Sequence, residues 1–93
     1  MNLELRFFAT VQEVIGTETM TREFEPGTTV EDVLDGLEAE YPDLKAVLRN
    51  EDGDFAHHIT ILRNGEQVTN LDGFDTELAD GDEIAITPPR TGP

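Results

Sequence analysis

The chain lacks several residue types, and each absence removes a class of site. None of its 93 residues is cysteine, which excludes disulfides, zinc thiolates and thiol nucleophiles. No apolar run approaches the roughly 20 residues that a membrane-spanning helix needs. Residues 1–6 alternate like a strand and lack the basic and apolar regions of a signal peptide. We therefore expect a soluble, cytoplasmic protein with no membrane partner.

Positive charge is also scarce. Lysine occurs once, at Lys45, and the formal net charge is −15. Because such a field repels phosphate backbones and anionic lipids, we expect no nucleic acid as a partner. Two explanations of the charge are open: a basic partner surface, or a haloarchaeal, high-salt cytosol that screens the self-repulsion. The loss of lysine favours the second, since an acidic docking patch gives no reason to remove lysine everywhere.

Hydrophobic alternation and turn residues define the strands. Apolar side chains at every second position are typical of strands with one buried face, and Asn64-Gly65 predicts a type I′ hairpin turn. Strands are predicted at 3–7, 20–24, 59–62, 66–68 and 83–87.

Two helices are predicted between these strands. Thr10 fits the start of a capping box and Gly16 a helix stop, which indicates a short helix. Thr29 is the expected N-cap of the main helix, and Pro42 ends it. One apolar stripe follows this main helix at helical spacing, formed by Val30, Val33, Leu34, Leu37 and Tyr41.

The order of elements predicts an α+β fold of the β-grasp, ubiquitin-like kind. One main helix covers one face of a mixed sheet of four to five strands. The crossover through this helix obeys the handedness rule if the third strand runs parallel to the second. We expect residues 1–87 to form the β-grasp domain and residues 88–93 to form a flexible C-terminal tail.

The remaining chemical signals are weak. His57 and His58 are adjacent, so on a strand they point to opposite faces and cannot easily share a metal. The acidic turns fail the pattern of a calcium loop and are interpreted as turn chemistry. No catalytic set or phosphate loop is evident. We therefore expect neither an enzyme nor a bound metal or cofactor.

Four segments together resemble a known family. The chain resembles the ubiquitin-like sulfur carriers typified by the small subunit of molybdopterin synthase, the MoaD-type proteins. It resembles the small archaeal modifier proteins of haloarchaea still more closely. The resemblance covers nearly the whole chain and is carried by residues 5–16, 29–34, 62–65 and 78–89.

The resemblance implies an activity that resides in the chain end. In such families a ubiquitin-activating-type enzyme uses ATP and magnesium to adenylate the carboxylate of a terminal diglycine. Sulfur transfer then gives a thiocarboxylate for molybdenum-cofactor synthesis or tRNA thiolation, or the activated end forms isopeptide bonds with target lysines. The implied partners are the adenylating enzyme, the large subunit of molybdopterin synthase and target proteins. We expect the carrier itself to be a monomer.

The tail departs from the family pattern at its last position. Gly92 aligns with the penultimate glycine, but Pro93 replaces the final one, and Arg90 and Thr91 are bulkier than the family's usual residues. Proline fixes φ near −65° and widens the end. Three interpretations are open: conjugation lost with binding kept, an end altered to block the chemistry, or an enzyme or processing step that accepts it.

A docking surface and an acceptor complete the candidate residues. Phe8 and Leu62 are predicted to lie on the open face of the sheet. Together with Pro88 and Pro89 they would form the surface on which an activating enzyme or a synthase subunit docks. Edge packing is the alternative interpretation of Phe8 and Leu62. Lys45 is a candidate acceptor of a modifier, although a solvated residue on a helix flank is the favoured interpretation.

Overall fold

The computed structural model describes residues 1–54 and 59–87. Along the chain, the helices and strands are β1 (Asn2–Phe7), α1 (Ala9–Ile15), β2 (Thr19–Glu23), α2 (Val30–Glu40), α3 (Leu44–Leu48), β3 (Thr60–Arg63), β4 (Glu66–Gln67) and β5 (Glu83–Thr87). Two single turns of 3-10 helix, Val68–Asn70 and Gly73–Asp75, connect β4 to β5.

The described strands form one five-stranded mixed sheet in the order β2-β1-β5-β3-β4. The pair β1–β5 is parallel, and the other neighbouring pairs are antiparallel. Both β2 and β3 therefore run opposite to β1, so the crossover through α2 joins two parallel strands. The predicted β-grasp arrangement is confirmed: α2 is the main helix on the covered face, and the shorter α1 and α3 pack against the same core.

The core lies between the sheet and the helices. Alternate residues of β1 and β5 face it and have no exposed surface: Leu3, Leu5, Phe7, Ile84 and Ile86. The stripe of α2 meets them, and every member of that stripe except the half-buried Tyr41 is buried. The apolar residues that recur at every second position of the strands therefore pack against those that recur at helical spacing in α2, and together they form one apolar layer.

Capping sets the ends of α2. The Thr29 hydroxyl accepts from the Asp32 N–H, and the Asp32 carboxylate accepts from the Thr29 N–H. The helix ends at Glu40, two residues before Pro42, as predicted. On its outer side, Glu40 forms a two-pronged ion pair with Arg22, which fastens β2 to the end of α2.

The predicted capping box at Thr10 is wrong. Helix α1 begins at Ala9, so its N-cap is Phe8, two residues before Thr10, and Phe8 forms no side-chain cap. The reason is that β1 continues into α1 with one residue between them, which leaves no turn for Thr10 to cap. The predicted stop is confirmed, since Gly16 has φ of +89° and its N–H donates to Gln12 O at 2.7 Å.

The hairpin between β3 and β4 follows the prediction. Asn64 and Gly65 have φ of +52° and +86°, as a type I′ turn requires. Strand β4 is shorter than predicted, because Val68 turns away from β3 and becomes part of the core.

Candidate functional site

Strand β5 occupies the centre of the sheet and leads to the chain end. It pairs with β1 on one side and with β3 on the other. Ile84 and Ile86 are buried, and the last described residue, Thr87, lies opposite Thr60. A strand held on both edges is a rigid base for whatever follows it. The predicted tail itself, residues 88–93, lies outside the described residues.

The open face of the sheet is the side turned away from the helices. It presents the residues that alternate with the core on β1, β5 and β3, together with Phe8: Glu4, Arg6, Phe8, Leu62, Glu83, Ala85 and Thr87. Across its middle, Ala85 lies opposite Arg6 on one neighbouring strand and Leu62 on the other. Ala85 is 7% exposed because larger neighbours flank its methyl group.

The two predicted docking residues share this face. Phe8 is 39% exposed, and its N–H donates to Ile86 O at 3.3 Å, so it lies beside the end of β5. Leu62 is half-buried on β3, beyond Ala85. Because two strand spacings separate β1 from β3, Phe8 and Leu62 flank β5 at a lateral separation of about 10 Å. The prediction that they face the same side agrees with this geometry.

Charges surround the apolar residues of the open face. Arg6 Nη1 and Glu83 Oε1 lie 3.7 Å apart, with both side chains about two-fifths exposed: 42% and 38%. Such a pair is screened by solvent and contributes little to stability. The arrangement leaves a partly apolar strip along β5, between Phe8 and Leu62, within a strongly acidic protein.

A buried carboxylate fixes the start of β5, and sequence analysis missed it. Asp82, 6% exposed, accepts from Ala79 N–H at 2.8 Å, Asn64 Nδ2 at 2.9 Å and Arg63 Nε at 2.8 Å. Burial alone would raise the pKa of Asp82, but these donors outweigh it and hold that pKa below its usual value. By sequence Asp82 belongs to one of the acidic turns, and nothing in the sequence pairs it with a hairpin 18 residues away.

A second buried carboxylate lies on the helical side. Glu38 of α2 is 2% exposed, and Arg49 Nη2 donates to its Oε1 at 2.6 Å. Arg49 also donates to Gly53 O at 2.7 Å and to Asp35 at 3.2 Å. The hydrogen bonds from Arg49 to Glu38 raise the pKa of the guanidinium further. This cluster holds the loop after α3 against α2.

Among the other candidate residues, Lys45 lies in the described part of the chain, and it is away from the open face. Lys45 is exposed on α3, near Asp35 and Ala39 on the helical side of the molecule. Pro88, Pro89, Arg90, Thr91, Gly92 and Pro93 lie outside the described residues, as do His57 and His58. Within residues 1–54 and 59–87, no group of three acidic or histidine side chains is placed to hold a metal ion.

The whole-chain comparison decides the family. The sequence profile described as the ThiS family matches residues 5–92, so it includes Gly92 and stops before Pro93. The chain belongs to the ThiS family. The match begins within β1, includes the whole of β5 and ends with the first five residues of the predicted tail. The resemblance that the sequence alone suggested is therefore confirmed.

The chain is also similar in sequence and structure to named modifier and sulfur carrier proteins. The chain is 47% identical over 92 residues to small archaeal modifier protein 3 of Haloferax volcanii, covering 99% of each protein. It is 33% identical over 92 residues to the molybdopterin synthase sulfur carrier subunit of Chlamydomonas reinhardtii, again covering 99% of each. The crystal structure of small archaeal modifier protein 1 from Haloferax volcanii superimposes with a TM-score of 0.85 at 34% identity, covering all of both chains.

None of the helices in the described part of the chain combines the length and the apolar character that crossing a bilayer requires.

Proposed function

We propose that this ThiS-family chain is a ubiquitin-like protein modifier or sulfur carrier, activated at its C-terminal carboxylate by an ATP-dependent, ubiquitin-activating-type enzyme. The observation that carries the proposal is the family match, which extends from Leu5 on β1 to Gly92 in the tail. The names of the archaeal and algal relatives support a modifier and a sulfur carrier respectively.

Activation of the C-terminal carboxylate needs no catalytic side chain from the carrier. A carboxylate oxygen attacks the α-phosphorus of ATP, pyrophosphate leaves, and an acyl adenylate forms. A sulfur nucleophile or a lysine amine then displaces AMP, which gives a thiocarboxylate or an isopeptide bond. ATP and magnesium belong to the activating partner in this scheme, and the carrier is not itself an enzyme. It contributes a chain end on a rigid strand and a surface to dock.

The open face supplies that surface. An enzyme that receives the chain end would also contact the part of the sheet near the end of β5. The exposed Phe8 and the half-buried Leu62 offer apolar contact on both sides of β5, and accessible apolar side chains on one face are typical of recognition surfaces. Pro88 and Pro89 would extend the contact along the tail. The large subunit of molybdopterin synthase is the second partner that we propose for the same face.

Mass spectrometry after incubation with ATP, magnesium and the adenylating enzyme of the same genome tests the proposal. A mass increase equal to one adenylyl group (AMP less water) on the native chain, dependent on ATP, would support a carrier. The matched variant is Pro93→Gly, which restores a terminal diglycine. The absence of an adenylate from both chains would contradict the proposal.

The residue at position 93 favours a second candidate function, a ubiquitin-like binding module without tail chemistry. Proline at the activated end would crowd the carbonyl and fix the backbone. In that case Pro93→Gly is adenylated and the native chain is not. A module of this kind also keeps its affinity for the partner after residues 88–93 are removed. Loss of all binding on that truncation would exclude it.

Lys45 is the acceptor that we propose for a modifier on this chain. Its ammonium group is exposed on α3, away from the open face, so a conjugate there would leave the docking surface free. Digestion and mass spectrometry of the chain after conjugation would locate the isopeptide bond. Lys45→Arg keeps the charge and removes the acceptor. Conjugates that persist unchanged in this variant would refute the assignment.

A high-salt cytoplasm is the environment that we propose. The net charge is −15, and Haloferax volcanii, the source of close relatives, is a halophilic archaeon. Lowering the salt from about 2 M to about 0.05 M lengthens the screening distance several-fold and should loosen the fold. Circular dichroism at both salts measures this. Identical spectra and identical melting temperatures would contradict the halophilic assignment.

A further inference from the structure

The junction between β1 and α1 contains a strained residue. Ala9 has φ of +50°, in the left-handed region. That region is disfavoured for residues with a Cβ by roughly five- to thirtyfold in population. Asn64 is the other non-glycine residue with positive φ in the described part of the chain, and its turn and its residue type both explain it. Nothing comparable explains alanine at position 9.

The strain arises because the chain changes direction at one residue. Phe7 still pairs with Ile86 in the sheet, while Ala9 already begins the helix. Val11 and Ile15 are buried, which fixes the helix against the core. Phe8 is the single residue between the two elements and remains extended, with φ of −127° and ψ of 151°. The change of chain direction between β1 and α1 therefore takes place at Ala9.

This geometry holds Phe8 by both of its peptide groups. The Phe8 N–H donates to Ile86 O on β5 at 3.3 Å. The Phe8 carbonyl accepts from Val11 N–H at 3.1 Å and from Gln12 N–H at 3.4 Å. The backbone that carries the exposed ring is thus fixed to the last strand on one side and to the helix on the other.

Phe8 keeps 39% of its surface exposed although its backbone is fixed. Phe8 and Leu71 are the exposed large hydrophobic side chains of the described residues, and Leu71 lies outside the strands. Backbone strain that the surrounding structure maintains is concentrated at binding and catalytic sites. A contact ordered before binding loses less conformational entropy when the complex forms.

We propose that Ala9 is a positioning residue, whose left-handed backbone holds Phe8 in a fixed place beside β5 as a pre-ordered contact for the adenylating enzyme. The inference rests on the proposed function and deepens it. Glycine at position 9 would adopt the same turn without strain. It would also release the backbone to other conformations, so the position of Phe8 would no longer be fixed.

Calorimetric titration of the full chain into the adenylating enzyme of the same genome, at constant high salt, tests the proposal. Ala9→Gly should weaken binding roughly three- to tenfold, the effect of one side chain that must be ordered on binding. Its melting temperature should change little, because relief of strain and added chain entropy oppose each other. Phe8→Ala should weaken binding by roughly tenfold or more, whereas Leu71→Ala, the matched control, should not.

Two further variants separate positioning from a general structural role. In the Phe8→Ala background, Ala9→Gly should cause no further loss of affinity, because the residue acts through Phe8. Ala9→Asn should keep the native affinity, since asparagine tolerates positive φ and is still more restricted than glycine. This variant also provides the test if Ala9→Gly fails to fold.

The outcomes distinguish this inference from the proposed function. Native affinity in Phe8→Ala would remove Phe8 from the docking surface and would overturn this inference alone, whereas the absence of an adenylate from the native and Pro93→Gly chains would contradict the proposed function. A loss in Phe8→Ala with native affinity in Ala9→Gly would overturn only the role of Ala9. An equal loss from Ala9→Gly in both backgrounds, or a loss in Ala9→Asn as large as in Ala9→Gly, would also refute positioning through the backbone.

Discussion

The two faces of the sheet carry different side chains on the same strands. On β1 and β5, the residues that face the helices have no exposed surface, as Leu5 and Ile84 illustrate. The residues between them include the half-exposed Arg6 and Glu83. Adjacent positions therefore differ in purpose: the covered face holds the fold together, and the open face is the surface that we propose for recognition. A substitution should affect stability or binding according to the face it falls on.

The ion pairs of the two sides show the same contrast. Glu38 on the helical side is 2% exposed and is held by Arg49 in several hydrogen bonds. Arg6 and Glu83 on the open face remain 3.7 Å apart and accessible to water. A buried carboxylate needs its ion-pair partner because water cannot solvate its charge. An exposed ion pair can be lost at little cost in stability, since water solvates both groups.

The most direct test of the difference between the two faces is a leucine-to-alanine substitution on each of them. Leu5→Ala should lower the free energy of unfolding by about 2–5 kcal/mol, because it opens a cavity in the core. Leu62→Ala, on the half-buried open face, should cost less than about 1.5 kcal/mol. Urea titration at constant high salt measures both. Equal losses would show that the two faces are not energetically distinct.

Removal of Arg49 comes next in expected effect. Arg49→Ala leaves the buried Glu38 carboxylate without its guanidinium and should cost about 3 kcal/mol. Glu38→Gln should cost less, since a neutral amide tolerates burial better and can still accept from Arg49. Urea unfolding of both variants at pH 7 gives the order. A larger loss in Glu38→Gln than in Arg49→Ala would contradict this account of the cluster.

Asp82 should give part of the stability a dependence on pH. Its folded pKa lies below the usual value, so its contribution is complete above the unfolded pKa of about 3.9 and is lost as pH falls through the folded pKa. Asp82→Asn should therefore be less stable by about 1–2 kcal/mol at pH 7. The difference from the native chain should narrow below about pH 4. Melting curves from pH 7 to pH 2 test this, and a constant difference would refute it.

The smallest effect on stability is expected at Arg6. Arg6→Ala removes a solvent-exposed ion pair and should change the free energy of unfolding by less than about 1 kcal/mol, less still at high salt. The same variant would sharpen the comparison if it alters binding to the adenylating enzyme, because Arg6 lies beside Ala85 at the centre of the open face. A loss of stability comparable to that of Leu5→Ala would contradict the separation of faces.

Local patterns predicted most of the elements but not the interactions between distant ones. Thr29 was identified as the cap of α2, and Asn64-Gly65 as the hairpin turn, because each acts on its immediate neighbours. The capping box at Thr10 was wrong, since it assumed a turn between β1 and α1 that the fold omits. Resemblance to the family also predicted the kind of function.

The sequence by itself determined the period of each strand and helix, the class of fold and the position of the chain end after β5. These depend on neighbouring residues or on the order of elements. Only the tertiary structure decided that Asp82 accepts from Arg63 and Asn64, and that Ala9 bears the reversal that fixes Phe8. The physical reason is that such contacts arise when separate elements are packed together, and a local pattern carries no information about which partners will meet.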